Sequence, residues 1–126
     1  MESLQAELPL LGLLKAPEPV REDILRTFGD EEETAVRFAI RWAWDNRRIR
    51  AMSQHSAAEH MGMPASHFSC VLNGTKYLPP HKLNAFDWIV GNHALSQTLV
   101  RFATLRESEQ TLQLANLIAQ NITRAA

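Results

Sequence analysis

An all-α domain is the fold class that the sequence predicts, and three observations predict it. Apolar residues recur at three- and four-residue intervals through most of the chain. No stretch alternates with the two-residue period of a strand, and no internal repeat is present. The periodic stretches are bounded by Pro and Ser where helices start and by Gly and Asn where they stop. The 126 residues, 45% of them hydrophobic, suffice for one compact domain with a modest core.

The elements follow in order. Residues 1–14 read as a loose helix or arm, and "KAPEPV" as an extended connector, because Pro17 and Pro19 disfavour helix in the residues before them. Pro19 to Phe28 has Val20, Ile24, Leu25 and Phe28 at helical spacing and Gly29 just beyond, a short amphipathic helix. The acidic run "DEEE" then complements the N-terminal dipole of a long helix, expected from about Glu31 to Arg50. Its apolar positions, Ala35 through Trp44, cover more than one face, which places it deep in the core or against a second chain. Ser53 is an N-cap for a helix from Gln54 to Met61, Gly62 supplies a left-handed turn residue, and a further helix starts near Pro64 and ends at Asn73 and Gly74. A helix from about Pro80 to Val90 stops at "GN", Gly91 and Asn92. Two more are expected, about Leu95 to Arg106 and about Glu109 to Thr123. The last carries Leu114, Leu117, Ile118 and Ile122 as one apolar stripe. The organisation is thus an acidic arm with a short helix (1–30), a core domain (31–106) and a C-terminal helix (107–126).

Several classes of function are disfavoured. No apolar run approaches the roughly 20 residues that cross a bilayer, and "LPLLGLL" at residues 8–14 lacks the preceding Lys or Arg of a secretory signal, so a cytoplasmic location is expected. Cys70 is the only cysteine and has no disulfide partner within the chain. His55, His60, His67 and Cys70 include one pair three apart on a helix, but zinc needs a closed set of four ligands, so no metal and no cofactor is expected. As a lone cysteine, Cys70 reads as a small packed residue before it reads as a redox sensor. No Gly-rich phosphate loop, nucleophile elbow or carboxylate pair is present, so the chain is not expected to be an enzyme. Trp42, Trp44 and Trp88 read as core or dimer contacts.

The net charge of −1 hides a segregation. Residues 1–34 carry three basic side chains against nine acidic ones, and residues 35–106 carry nine basic against three acidic. A basic middle of this kind suits a polyanion, because Lys and Arg neutralising phosphates supply most sequence-independent affinity for DNA. The bland reading is that the two parts offset one another on a hydrated surface.

The stretch "SQHSAAEHMGMPASHFSCVLNG", Ser53 to Gly74, meets the requirements of two helices crossing steeply around a tight turn. Ala58 is small at the crossing, Gly62 tolerates positive φ, and Ala57, Met61, Met63, Phe68 and Val71 face the core. With "MSQ", the Ala58, Glu59 and Gly62 pattern, "NG" after the second helix and "GN" closing the next, the chain resembles the lambda-repressor-like (Cro/C1-type, XRE-like) helix-turn-helix family from about Trp42 to Asn92. The resemblance implies a helix-turn-helix bundle, here with extra N- and C-terminal helices, that binds double-stranded DNA. Pro64 to Leu72 would be the recognition helix, its first residues reaching base edges in the major groove. Carried over by position, Ala65, Ser66, Ser69 and Cys70, with His67 at the flank, are the base-facing candidates. Gln54, Asn73, Thr75 and Lys76 match backbone-contacting positions, and Arg47, Arg48 and Arg50 stand close enough to the motif to anchor phosphates. His81 and Lys82 are weaker candidates.

This sequence departs from the family in one informative way. Such helices commonly begin with Gln, which bonds adenine at two points, but here Ala65 stands there and no Arg, Lys, Asn or Gln follows until Asn73. An alanine methyl can meet a thymine methyl and serines can bond several bases, so discrimination would lean on DNA shape and ordered water. The expected function is a transcriptional regulator of bacterial or phage type, by default a repressor, binding a palindromic operator as a homodimer through the last helix. The acidic N-terminal segment could fold over the basic region or dock a protein partner. The alternative is a protein-interaction module that keeps the fold without binding DNA, which an uncharged recognition helix would also suit.

Overall fold

The computed structural model describes residues 15–125, with side chains through residue 121. Among the described residues there are six α-helices and no strand: α1 (Glu22–Arg26), α2 (Glu32–Asp45), α3 (Gln54–Met61), α4 (Ala65–Leu72), α5 (Leu83–Val90) and α6 (Ala94–Ala125). A 3-10 turn, Pro80–Lys82, leads into α5. The expected loose helix or arm of residues 1–14 lies outside the described residues.

α2 and α6 form the long edge of the bundle and run antiparallel. The Asn92 side chain just before α6 donates to Ala43 O near the end of α2 at 3.3 Å. At the other end, Arg106 of α6 pairs with Glu32 in the first turn of α2 at 2.5 Å, and Arg101 with Asp30 at 2.8 Å. α1 is tied to the same edge, where the Gln97 side chain bonds both the N–H and the carbonyl of Val20. The connector before α1 is fastened to the α5–α6 junction by two main-chain bonds, Glu18 N–H to Gly91 O and His93 N–H to Glu18 O, at 3.0 and 2.9 Å.

The core is aromatic at its centre. Phe68 of α4 meets Trp44 of α2 edge-on at 5.4 Å and Phe86 of α5 at 6.4 Å, and all three are buried. Ala35, Ala39 and Ala43 are wholly buried along α2, so their small side chains let the neighbouring helices approach it closely. Trp42 packs half-buried against Phe28 at 6.2 Å, while Trp88 and Phe38 stay exposed.

Three helix boundaries differ from expectation. α2 stops at Asp45 rather than near Arg50, because its last carbonyls are taken by side chains of the residues that follow. Asn46 Nδ2 donates to Trp42 O at 2.9 Å, Arg47 to Trp44 O at 3.0 Å and Arg50 to Asp45 O at 3.2 Å. The first helix contracts to five residues, Glu22–Arg26. The two expected C-terminal helices are one, the 32-residue α6, since "RESEQ" contains neither Gly nor Pro and Ser alone does not end a helix. Beyond Ala103 the side chains described on α6 are exposed on every face. These 22 of its 32 residues span about 33 Å, tied to the body near their start by the Arg106–Glu32 pair. No helix among the described residues is long and apolar enough to cross a membrane.

Candidate nucleic-acid interface

The Ser53–Gly74 stretch forms two eight-residue helices joined by a three-residue turn. Ser53 caps α3, its hydroxyl accepting from Ser56 N–H at 3.0 Å. Gly62 ends α3 at φ +67°, a conformation that would strain any other residue, and Met63 N–H closes the turn onto Ala58 O at 3.0 Å. Pro64, at ψ 139°, opens α4. Ala58 is 1% exposed where the helices meet, and Ala57, Met61, Phe68, Val71 and Leu72 are buried beside it.

α4 therefore has a defined outer face. At 100° per residue, Phe68, Val71 and Leu72 occupy one side, and Ser66, Ser69 and Cys70 the opposite one. Ser66 is exposed and Ser69 and Cys70 half-buried. Ala65 and His67 fall on the flanks. Ala65 packs half-buried against the core, and His67 Nε2 lies 3.4 Å from Tyr77 O. Of the five base-facing candidates, the structure thus gathers three on one outward surface and turns two aside. Gln54, the first residue of α3, is exposed.

The loop after α4 is folded back onto it. Cys70 O accepts from the N–H of Thr75 at 2.9 Å, from the N–H of Lys76 at 3.3 Å and from Thr75 Oγ1 at 3.2 Å. Asn73, Thr75 and Lys76 are exposed at that end. No family model matches the chain, and comparison with curated proteins and with solved structures gives no match.

The three arginines expected to anchor phosphates each donate to main-chain carbonyls of their own chain. Arg47 caps the α2–α3 loop, donating from Nε to Met52 O, from one terminal nitrogen to Trp44 O and from the other to Arg50 O, all within 3.0 Å, with its guanidinium 4.2 Å over the Trp44 ring. Arg48 donates to Lys15 O and Ala16 O at the connector, and its side chain fills the space beside Gly91. Arg50 bonds Asp45 O. Elsewhere in the basic middle, Arg37 pairs with Glu33 at 2.8 Å and Arg41 with Asp45 at 3.4 Å, while Arg101 and Arg106 hold Asp30 and Glu32. Much of the charge segregation is thus closed within the fold. Among the described residues no group of three or more His, Cys, Asp or Glu side chains converges as a metal site would require.

Two features had little sequence signal, Tyr77 none and Lys82 only that of a weaker candidate. Tyr77 is 74% exposed, its hydroxyl 3.4 Å from a Glu33 carboxylate oxygen, and with α2 and α6 its loop walls a groove of about 700 Å³ floored by Val36, Ile40, Leu83 and Leu99. Lys82, ten residues after α4, brings Nζ to 3.5 Å from Gly62 O, at the turn that introduces α4. Both arise from loops returning to a helix they do not adjoin in sequence, which local periodicity cannot report.

Proposed function

We propose that the chain is a sequence-specific DNA-binding regulator of transcription, by default a repressor. In this reading α3, its turn and α4 are a helix-turn-helix unit of a lambda-repressor-like bundle. One observation carries it: two short helices joined at a left-handed Gly62 and pressed together at Ala58, the second presenting Ser66, Ser69 and Cys70 outward while its opposite side is locked into the core. Small hydroxyl-bearing residues on that face give weaker discrimination per contact than a bidentate pair, about 1–3 kcal/mol, so DNA shape supplies the remainder. Gln54, Asn73, Thr75 and Lys76 then contact the sugar-phosphate backbone.

A palindromic site follows if two copies pair through α6. Leu114, Leu117 and Ile118 are each more than half exposed on its projecting part, and among the described residues none covers them. The Ile122 side chain lies outside the described residues. Two recognition helices would then stand about 34 Å apart, one turn of DNA.

A second reading is favoured by the ion pairs just described. A protein-interaction module of the same fold needs no free cations, and four of the arginines in the basic middle are matched to carboxylates. Selection from a random DNA pool separates the two readings. An enriched palindrome supports the regulator, and no enrichment even at 50 mM salt rejects it in favour of the module. At the level of single contacts, Ser66→Ala or Ser69→Ala should change the order of preference among enriched sites by about 1 kcal/mol. Equal losses on every sequence would remove these serines from direct readout.

A further inference from the structure

At about 700 Å³, the groove beside Tyr77 has the size of a site for a small organic molecule, which takes about 300–1,000 Å³. Its walls stand in place before any ligand arrives. The loop that forms one wall is fastened to the end of α4, where Cys70 O accepts from the N–H groups of Thr75 and Lys76. Gly74, at φ +79°, lies so close to α2 that a Cβ there would stand 3.3 Å from Arg37 Cδ. The Tyr77 hydroxyl lies 3.4 Å from a Glu33 carboxylate oxygen, and Arg37 holds that same oxygen at 2.8 Å. Preformed walls lower the ordering cost of binding.

The floor and the lip differ in chemistry. Val36, Ile40, Leu83 and Leu99 make the floor aliphatic, while Glu31, Glu32 and Glu33 stand at the lip against Arg37 and Lys76. Arg37 is paired with Glu33, and Arg106 of α6 with Glu32. Glu31 accepts the Thr34 hydroxyl, and among the described residues no cation matches its carboxylate. The Tyr77 ring, 74% exposed, is held at the same lip by the contact of its hydroxyl to Glu33. An aromatic face with carboxylates near it attracts an ammonium, and an aliphatic floor takes an apolar body. We propose that this groove binds a small organic amine, its apolar body on the aliphatic floor and its ammonium at the lip, against the Tyr77 ring and the carboxylates of Glu31 and Glu33. The inference stands apart from the DNA-binding reading and holds or fails without it.

Phenylbutylamine, phenylbutanol and phenylbutyrate share an apolar body and differ in the charge of the head, so a titration of each, followed by methyl NMR shifts, tests the assignment. With the unsubstituted chain the amine should bind about threefold to tenfold more tightly than the alcohol, and the shifts should fall on Val36, Ile40, Leu83 and Leu99. Glu31→Gln combined with Glu33→Gln should remove that preference while leaving the affinity for the alcohol in place. Tyr77→Ala should reduce it as well. Leu99→Phe, which fills the floor, should abolish binding of all three probes, with circular dichroism confirming intact helices. Lys76 is the lip cation without a carboxylate, so an acid that binds as tightly as the amine would make Lys76 the governing charge and overturn the proposal. So would an amine preference that survives the carboxylate substitutions, binding that persists in Leu99→Phe, or no binding of any probe to the unsubstituted chain. A drop in light-scattering mass on Leu99→Phe would assign the groove to a second copy of the chain and overturn it too.

Discussion

Asp87 shows how a single buried charge can set the pH response of the fold. Its side chain is 2% exposed. One oxygen, Oδ2, accepts from His93 Nδ1 at 2.8 Å and from the Ser96 hydroxyl, while the other, Oδ1, is buried with no hydrogen-bond partner. Burial raises the carboxyl above its ordinary value of 3.8, against the opposing pull of Ser96 and His93. A raised carboxylate pKa contributes stability that is complete below the ordinary value and is lost as pH rises through the folded value. Asp87 therefore opposes the usual acid destabilisation. In urea unfolding from pH 3.5 to 7, the stability of the wild type relative to Asp87→Asn should decline as pH rises, and a difference that is flat or grows with pH would show that burial does not dominate. Asp87→Ala, which strands the His93 and Ser96 donors, should cost about 1–3 kcal/mol. Arg47 makes the complementary case, since three donors on main-chain carbonyls and a ring beneath it make it structural. Arg47→Ala should lower the stability of the fold by about 2 kcal/mol, read in the same urea titration, and a loss of DNA affinity with no loss of stability would return it to the phosphate anchors. Neither role was legible in the sequence. "RRIR" announces cations suited to a helix end, but only the folded loop shows that they replace the missing glycine cap.

At the scale of elements, α3 and α4 lie where the sequence predicts them because their signals are local. Ser53, Gly62 and Pro64 each act within a turn of their own position, and Phe68 and Val71 repeat at helical spacing. The outward face of α4 was legible for the same reason for Ser66, Ser69 and Cys70. Ala65 lies half-buried at a flank of that face because its surroundings come from elements distant in sequence, and His67 stands at the flank where the sequence reading put it. α6 failed differently: a charged stretch without Gly or Pro was read as a break, although nothing in it stops a helix. Its exposed leucines also do not share one stripe. At 100° per residue Leu105 and Leu112 lie nearly opposite Leu114, Leu117 and Ile118, so a single partner helix covers only part of them. Because the helix beyond Ala103 makes little contact with the body, truncation after Arg106 should leave the melting temperature within a few degrees while halving the mass in light scattering. A mass unchanged by truncation would move the dimer contact to another surface.

The whole molecule joins an acidic front to a basic middle, and the fold turns that segregation into closure. Asp30 and Glu32 meet Arg101 and Arg106, so the N-terminal end of α2 is pinned to α6 by charges that the sequence presents as separate blocks, while Glu33 meets Arg37 within α2. Such partly exposed pairs contribute roughly 0–1 kcal/mol each and serve stability little. Their larger effect is on the field outside the protein, where matched charges attract a polyanion far less than nine free cations would. Under the DNA-binding reading proposed above, non-specific binding would be weak, which would suit a regulator whose specificity per base contact is low, since every competing site on the genome would then hold it weakly. The triple variant Asp30→Asn, Glu32→Gln, Glu33→Gln should release the charge of Arg101, Arg106 and Arg37 without unfolding the chain. Fluorescence anisotropy with a scrambled duplex should show affinity rising about threefold to tenfold at 50 mM salt, with the gain vanishing near 0.5 M as screening shortens the reach of exposed charges. An affinity that does not move at low salt would mean that these arginines face away from any path DNA takes to α4, and restraint of non-specific binding would then have to come from the small number of free lysines alone.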